Sequence, residues 1–182
     1  MKAEIYWIKD IDPYRVATMP RPCPPWRNSP SNNSPWGKTT SLSNWLSEEI
    51  NSLREQGVDV LVSLLTPEEV LYMDLEMEPD NCQSCGIEFI SFPITDRETP
   101  RSETATREFV RRLAELVKAG KGVAIHCYAG VGRSSLIAGC VLVNLGVDPQ
   151  TVFDLIGKSR GCGVPDTPQQ REWFYSFVSS IL

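Results

Sequence analysis

The stretch AIHCYAGVGRSS brings together the residue types of a nucleophilic site. It contains the only histidine of the chain, His126, and Cys127 follows it directly. Further on comes Arg133, whose planar guanidinium matches two oxygens of a phosphate group. Gly130 and Gly132 lie between the cysteine and the arginine and can take backbone conformations that other residues avoid. This spacing predicts a loop that presents one sulfur and one cation to the same anion.

The segment between Cys127 and the next predicted helix has the composition of an anion-binding loop. Backbone amides of a glycine-rich turn can all point inward, and a helix N-terminus adds about half a positive charge. The same field favours the thiolate form of a cysteine, and a thiolate below a bound phosphate can attack phosphorus. We therefore predict that Cys127 is a nucleophile toward a bound phosphate ester.

These residues resemble the His-Cys-x5-Arg-Ser signature of the cysteine-dependent protein tyrosine phosphatases. The longer stretch HCYAGVGRSSLIAGCVL is most similar to the small dual-specificity phosphatases, especially the branch of the cyclin-dependent kinase-associated phosphatase. The resemblance implies a phosphocysteine intermediate on Cys127, a structural His126 that orients the loop, and a Ser134 that donates to the departing sulfur. It also implies a substrate-binding loop made of Tyr128, Ala129, Gly130, Val131, Gly132 and Arg133.

The chemistry also needs an acid, because expelling an unprotonated alkoxide or phenoxide is slow. In the family this acid is an aspartate on a loop upstream of the cysteine, and the segment FPITDRETP places Asp96 in a similar context. We assign Asp96 as the acid of the first step and the base that activates water in the second, with Glu98 as the alternative. Gln170 has two open interpretations, as a glutamine beside the active site or as part of a helix capping box that begins at Thr167.

Three functions fit this set of residues. They are an active phosphatase, a phosphate-binding module with weak turnover, and another cysteine-loop enzyme such as a sulfurtransferase or an arsenate reductase. The joint presence of nucleophile, arginine, serine and acid favours the first. The uncharged Tyr128, Ala129 and Val131 disfavour a highly anionic substrate, so we expect phosphotyrosine, phosphoserine or phosphothreonine in a protein, with a non-protein phosphate ester as the alternative.

The elements that must position these residues alternate along the chain. Apolar runs predict strands over 3–8, 58–65, 87–93 and 122–127. Periodic or capped segments predict helices over 44–56, from Thr66, over 102–119 and 134–146, from Asp148, and from Thr167 to Ile181. This alternation predicts an α/β fold with a mostly parallel central sheet and helices on both faces, in one domain over residues 1–182.

Two further segments carry no assigned chemistry. Residues 10–40 are rich in Pro, Ser and Asn and predict a long loop, which Trp26 and Trp36, with Trp45 just beyond, would anchor to the body of the domain. Cys82 and Cys85 form a Cys-x-x-Cys pair, but no second pair accompanies them and we interpret them as packing residues.

The composition limits the partners. The net charge of −5 disfavours nucleic acid, and the stretch MKAEIYWIKD lacks the apolar run of a signal peptide. The longest apolar run is too short to cross a bilayer. We therefore expect a cytoplasmic monomer that acts on a phosphorylated protein substrate, without a membrane partner, a metal or a cofactor.

Overall fold

The computed structural model of the protein describes residues 3–23 and 42–180, apart from the side chains of residues 42–44. Its strands are β1 (Tyr6–Trp7), β2 (Val16–Pro20), β3 (Val60–Ser63), β4 (Glu88–Ser91) and β5 (Val123–Cys127). They form one sheet in the spatial order β1-β2-β5-β3-β4. The pairs within β2-β5-β3-β4 are parallel, and β1 pairs antiparallel with β2. The predicted mostly parallel α/β sheet is confirmed.

Strand β2 is the main correction to the predicted fold, because it lies inside the segment 10–40 that we expected to be a loop. It pairs with β5 along its whole length, with Thr18 opposite Ile125 and Pro20 opposite Cys127. A proline is tolerated there because it closes the strand. The rest of the predicted loop, with Trp26 and Trp36, falls outside the described residues, whereas Trp45 is buried against the sheet.

Helices cover both faces of the sheet, as predicted. On one face lie α1 (Leu42–Glu55), α2 (Pro67–Tyr72) and α3 (Glu78–Ser84), and on the other lie α4 (Glu103–Lys118), α5 (Arg133–Asn144), α6 (Val152–Arg160) and α7 (Pro168–Ser179). Successive strand residues point to opposite faces. Ile125 and Cys127 therefore pack in the α4–α7 core, while Ala124 packs in the α1–α3 core.

Side-chain caps confirm three of the predicted helix starts. Thr66, Ser102 and Thr167 each accept a hydrogen bond from the backbone N–H three residues later, at the start of α2, α4 and α7. For α2 and α7 the capping box is complete in both directions.

Other boundaries differ from the prediction. Helix α1 begins before Asn44, which we expected to cap it, and β1 is shorter than the predicted strand over 3–8. Helix α6 begins at Val152 rather than at Asp148, because the chain first makes a turn in which the Thr151 N–H donates to the Asp148 carbonyl (3.0 Å). Helix α3 was not predicted from the sequence.

Helix α5 is the centre of the second core. It is buried on all sides from Arg133 to Val143, as its nearly unbroken apolar sequence predicts. It packs against α4, α6 and α7 and against the strands β2 and β5. The first turn of this helix is therefore fixed by the whole domain. Within the described ranges no helix is both long and apolar enough to span a bilayer.

Candidate active site

Cys127 lies at the carboxyl end of β5, where residues 128–132 turn into the N-terminus of α5. Its side chain opens into a small cavity of about 150 Å³. The cavity is lined by Asp96, Arg97, Cys127, Ala129, Val131, Gly132, Arg133, Asp166 and Gln170. Cys127 is only 3% exposed, so a ligand reaches its thiol through this cavity. Its Sγ lies 3.5 Å from Ser134 Oγ, which is within hydrogen-bonding distance for sulfur.

Two arginines outside the cavity hold the carbonyl groups of the loop. Arg160, in the last turn of α6, donates to the carbonyls of Ala129 (2.8 Å) and Gly130 (2.9 Å). Arg21, just after β2, donates to the Tyr128 carbonyl from its side chain (3.1 Å). In a trans peptide the C=O and the following N–H point in opposite directions. The amides that follow these three carbonyls therefore point away from the arginines and remain available to an anion.

Tyr128 and Gly130 belong to the predicted binding loop but do not line the cavity. The Tyr128 side chain points outward, 41% exposed, and the Arg21 guanidinium lies 4.0 Å from its ring centroid. Gly130 has φ of 69° and faces the backbone of β2, where a Cβ atom would lie 2.6 Å from Pro20 N. The loop is thus pressed against β2, which only a glycine allows.

Arg133 is 1% exposed and is held by two carboxylates and by two carbonyls, of which that of Leu64 is the more distant, at 3.5 Å. Its Nη1 and Nη2 donate to the two carboxylate oxygens of Glu69, at 2.7 and 2.9 Å. Nη1 also donates to the Ile94 carbonyl (2.8 Å), and Nη2 lies 2.8 Å from Asp96 Oδ1. Its Nε is buried and has no hydrogen-bond partner among the described residues. On the guanidinium edge formed by Nε and Nη2, Nε is therefore open to a ligand, while Asp96 occupies the position beside Nη2.

The Arg133–Glu69 pair shapes the protonation of both groups. Burial raises the pKa of Glu69, but hydrogen bonds from Arg133 and from the Thr66 backbone outweigh it and hold the pKa below its ordinary value. Burial likewise lowers the pKa of Arg133, but the hydrogen bonds with Glu69 and the nearby Cys127 and Asp96 raise it above its ordinary value. Both groups stay charged at neutral pH. Sequence reasoning assigned Glu69 no function, because its contact with Arg133 joins distant parts of the chain.

The two candidate acids occupy different positions. Asp96 lines the cavity, half-exposed, beside Arg133. The side chain of Glu98 does not line this cavity, and only its backbone carbonyl is held there, by Gln170 Nε2 at 3.1 Å. Gln170 thus combines the two interpretations that the sequence left open, since it also completes the α7 capping box with Thr167.

His126 lies on the opposite face of the sheet from Cys127 and does not reach the cavity. It is fully buried, and its Nε2 lies 3.2 Å from Oε1 of the buried Glu78, although the angles of a hydrogen bond are not met. Glu49 of α1 is buried beside them. The pKa of Glu49 is raised to about 7, chiefly by burial; a backbone hydrogen bond from Cys23 opposes this shift and the charge of Glu78 adds to it.

The other cysteines of the described chain do not enter the cavity. Cys82 and Cys140 are fully buried, in α3 and α5, and burial raises the pKa of both thiols. The Cys85 thiol donates to Asn51 Oδ1 (3.1 Å), so Cys82 and Cys85 take separate packing roles. Cys127 is the thiol that the fold places in the cavity beside Arg133.

Comparison with known proteins gives a family for this fold and site. Residues 37–147 match the model of the family Tc-R-P, described as "Polymorphic toxin system, DSP-PTPase phosphatase". Cyclin-dependent kinase inhibitor 3 of Rattus norvegicus is 29% identical over 138 residues, which are 75% of this chain and 65% of the relative. The protein of the same name from Homo sapiens is 33% identical over 104 residues, 56% of this chain and 49% of the relative. The chain thus spans about half to two thirds of the length of these curated relatives.

Solved structures share the fold. A kinase associated phosphatase with its catalytic site cysteine replaced by serine superimposes with a TM-score of 0.77 and 22% identity, over 100% of this chain and 97% of that chain. PTPMT1 superimposes with a TM-score of 0.70 and 17% identity, over 98% and 96% of the two chains. The family model covers more than half of the sequence and carries the cysteine loop. The chain therefore belongs to the Tc-R-P family, described as DSP-PTPase phosphatases, and its fold is similar to that of the kinase associated phosphatase.

Proposed function

We propose that the protein is a phosphoprotein phosphatase that works through a phosphocysteine intermediate on Cys127. The observation that carries this proposal is the meeting of Cys127, Arg133 and Asp96 in one cavity that is the size of a single phosphate ester site. A nucleophile, a cation and an acid around one small space are what the hydrolysis of a phosphate monoester requires. His126 contributes by packing beneath the loop rather than by proton transfer.

In the first step the Cys127 thiolate attacks phosphorus as the P–O bond to the leaving group breaks. The departing oxygen takes the proton of Asp96. Loop amides and the Nε–Nη2 edge of Arg133 bind the equatorial phosphate oxygens, and the N-terminus of α5 adds its positive dipole. The products are a phosphocysteine, a free hydroxyl on the substrate and an Asp96 carboxylate.

The contact between Asp96 and Arg133 implies that phosphate binding comes before proton transfer in this step. In the empty site the Asp96 carboxylate occupies a position beside Nη2 that a phosphate oxygen would also need. A bound dianion competes for the same guanidinium edge and displaces the aspartate toward the cavity mouth. Substrate binding therefore releases the Asp96 carboxyl from Arg133 and lets it face the leaving oxygen.

In the second step water attacks the phosphorus of the phosphocysteine and the P–S bond breaks. The Asp96 carboxylate takes a proton from the water, and the Ser134 hydroxyl, 3.5 Å from Sγ, stabilises the returning thiolate. Phosphate then leaves with the site restored. Both steps use side chains of this chain alone, and we propose no metal or cofactor.

The cavity favours a phosphorylated side chain over a polyanion. Its Arg97 is paired with Asp166 at its rim, and the loop positions Tyr128, Ala129 and Val131 carry no charge. We propose phosphotyrosine as a substrate, with phosphoserine and phosphothreonine where the peptide reaches Cys127. The names of the curated relatives refer to cyclin-dependent kinases, and the family description refers to a polymorphic toxin system. We propose a monomer in the cytoplasm, since a catalytic thiolate needs a reducing compartment.

The test of this function replaces the nucleophile. Cys127→Ser should lower the hydrolysis of a phosphotyrosine peptide by roughly 10⁴-fold or more, while tungstate still binds, because the loop amides and Arg133 remain. Cys85→Ser is the matched control and should retain full activity. Mass spectrometry after an acid quench should detect a phosphate adduct on Cys127 in the wild type. Activity within tenfold of the wild type in Cys127→Ser would refute the nucleophile.

A substrate comparison separates the alternatives. We expect kcat/KM for the phosphotyrosine peptide to exceed that for a soluble phosphoinositide, because the cavity offers only one unpaired cation edge. If kcat/KM were higher for the phosphoinositide, the proposed substrate would be a non-protein phosphate ester and not a phosphoprotein. Tungstate binding with no turnover of any monoester would indicate a binding module.

A further inference from the structure

The acid loop, residues 94–99, is held in a backbone conformation that it does not favour by itself. Arg97 has φ of 62°, the left-handed region, which costs a non-glycine residue about 1–2 kcal/mol. Such a conformation persists only where surrounding contacts determine it. The contacts that hold this loop therefore decide where the Asp96 carboxyl lies.

Two buried side chains hold the loop from either side of Asp96. Arg133 donates to the Ile94 carbonyl at 2.8 Å, and Gln170 Nε2 donates to the Glu98 carbonyl at 3.1 Å. Two further contacts are exposed, the Arg97–Asp166 pair at 3.5 Å and the hydrogen bond from Arg101 to the Thr95 hydroxyl at 3.4 Å. Exposed contacts of this kind contribute little. Because Arg133 is also proposed to bind the phosphate, Gln170 is the buried side chain that mainly holds the acid loop.

The surroundings of Gln170 fix the orientation of its amide. It is fully buried, its Oε1 accepts from the Thr167 N–H (3.3 Å), and its Nε2 donates to Glu98. If the amide were flipped, its NH2 group would face the Thr167 N–H and its oxygen would face the Glu98 carbonyl, so both hydrogen bonds would be lost. Gln170 also borders the cysteine loop, where a Cβ atom on Gly132 would lie 3.0 Å from its Oε1. One side chain thus spans the start of α7, the acid loop and the cysteine loop.

We propose that Gln170 is a positioning residue for the general acid and acts in the first chemical step. It holds the Glu98 carbonyl, and through the backbone of the acid loop it keeps Asp96 within reach of the leaving oxygen. This proposal rests on the role assigned to Asp96 above. The competing role for a glutamine in this position is to orient the attacking water of the second step, which would not depend on the leaving group.

The decisive variant is Gln170→Met. Methionine has a similar length and no charge, so it does not repel the phosphate, but it has no N–H to donate to Glu98. The Thr167 hydroxyl can still cap α7 through the backbone N–H of residue 170. We expect kcat/KM for a phosphotyrosine peptide to fall about 10- to 100-fold, since a displacement of about 1 Å in a reacting group costs that much. For 2,4-dinitrophenyl phosphate, whose leaving group needs no proton, we expect less than about a threefold loss. Gln169→Met makes the same substitution at an exposed position and should change neither rate.

A double variant tests whether Gln170 acts through Asp96. Asp96→Ala with Gln170→Met should be no slower on the phosphotyrosine peptide than Asp96→Ala alone, because the acid that Gln170 positions is already gone. Tungstate protection of Cys127 against iodoacetate reports in each variant that the cysteine loop is folded. The proposal would be overturned if kcat/KM fell equally for the two substrates, or if the losses of the two single variants multiplied in the double variant. Accumulation of the phosphocysteine would also overturn it. If Asp96→Ala itself shows no dependence on the leaving group, the acid assignment fails instead.

Discussion

Glu69 is the residue on which the geometry of Arg133 depends. Its carboxylate takes both terminal nitrogens of the guanidinium and leaves the Nε–Nη2 edge directed to the ligand. It does so from the first turn of α2, where it also closes the capping box with Thr66. A single carboxylate therefore joins a local helix cap to the phosphate site.

We expect Glu69→Gln to weaken catalysis while α2 stays capped, because glutamine can still accept from the Thr66 N–H. Losing a hydrogen bond between charged groups costs about 1.5–3 kcal/mol, which corresponds to roughly a 10- to 100-fold lower kcat/KM. Steady-state kinetics on a phosphotyrosine peptide measures the effect. Glu68→Gln, the exposed neighbour in the same turn, is the control, and equal behaviour of the two variants would contradict this role of Glu69.

At the scale of residues, the sequence alone indicates the local part of the candidate site. The stretch from His126 to Ser134 forms one loop and one helix start, so its spacing alone indicates an anion site. The partners of that loop come from elsewhere. Arg21, Glu69 and Glu78 have no signal in the sequence, because each gains its role only when tertiary folding brings it to residues far along the chain.

At the scale of elements, β2 and the cysteine loop form a unit. The loop crosses the end of β2 at Gly130, and Arg21 at the end of that strand holds the loop by the Tyr128 carbonyl. We predicted the buried strands β3 and β5 from their continuous apolar runs. We missed β2 because five residues near several prolines carry little local preference, and β2 becomes a strand by pairing between β1 and β5.

Gly130→Ala tests this contact between elements. The added methyl group would overlap the Met19 backbone and lie 2.6 Å from Pro20 N, so the loop must move away from β2. We expect tungstate affinity to fall at least about tenfold, since the amides that bind the anion move with the loop. Isothermal titration calorimetry measures this.

The matched control for that variant is Gly120→Ala. Gly120 has φ of 84°, but a Cβ atom there meets no atom within 4 Å. It should therefore show the cost of backbone strain, about 1–2 kcal/mol of unfolding free energy, without a change in tungstate affinity. A loss of affinity in Gly120→Ala equal to that in Gly130→Ala would mean that strain, not the contact with β2, governs the loop.

At the scale of the whole molecule, the acidic group buried beneath the sheet links stability to pH. Glu49 has a folded-state pKa of about 7 against an ordinary value of 4.5, so folding favours its protonated form. The stabilisation is complete below the ordinary pKa and is lost as the pH rises through about 7. A shift of this size corresponds to about 3 kcal/mol. The protein should therefore be less stable at pH 8 than at pH 5.5.

Urea unfolding of Glu49→Gln at these two pH values tests the link. Glutamine cannot ionise, so the variant should lose most of the decline in unfolding free energy and exceed the wild type in stability at pH 8. Glu48→Gln changes an exposed neighbour and should follow the wild type. A pH dependence in Glu49→Gln that parallels the wild type would show that another group is responsible.

Helix α5 has a consequence for the energetics of ligand binding. Its first turn borders the proposed anion site, and the rest of the same helix is the apolar centre of the larger core. The unfolded chain cannot assemble this site, so an anion that occupies it at a hundred times its dissociation constant adds about 2.7 kcal/mol to the unfolding free energy. Occupancy of the active site and resistance of the entire domain to heat or proteolysis thus become one linked equilibrium, in which phosphate, the product of the reaction, protects the enzyme that releases it.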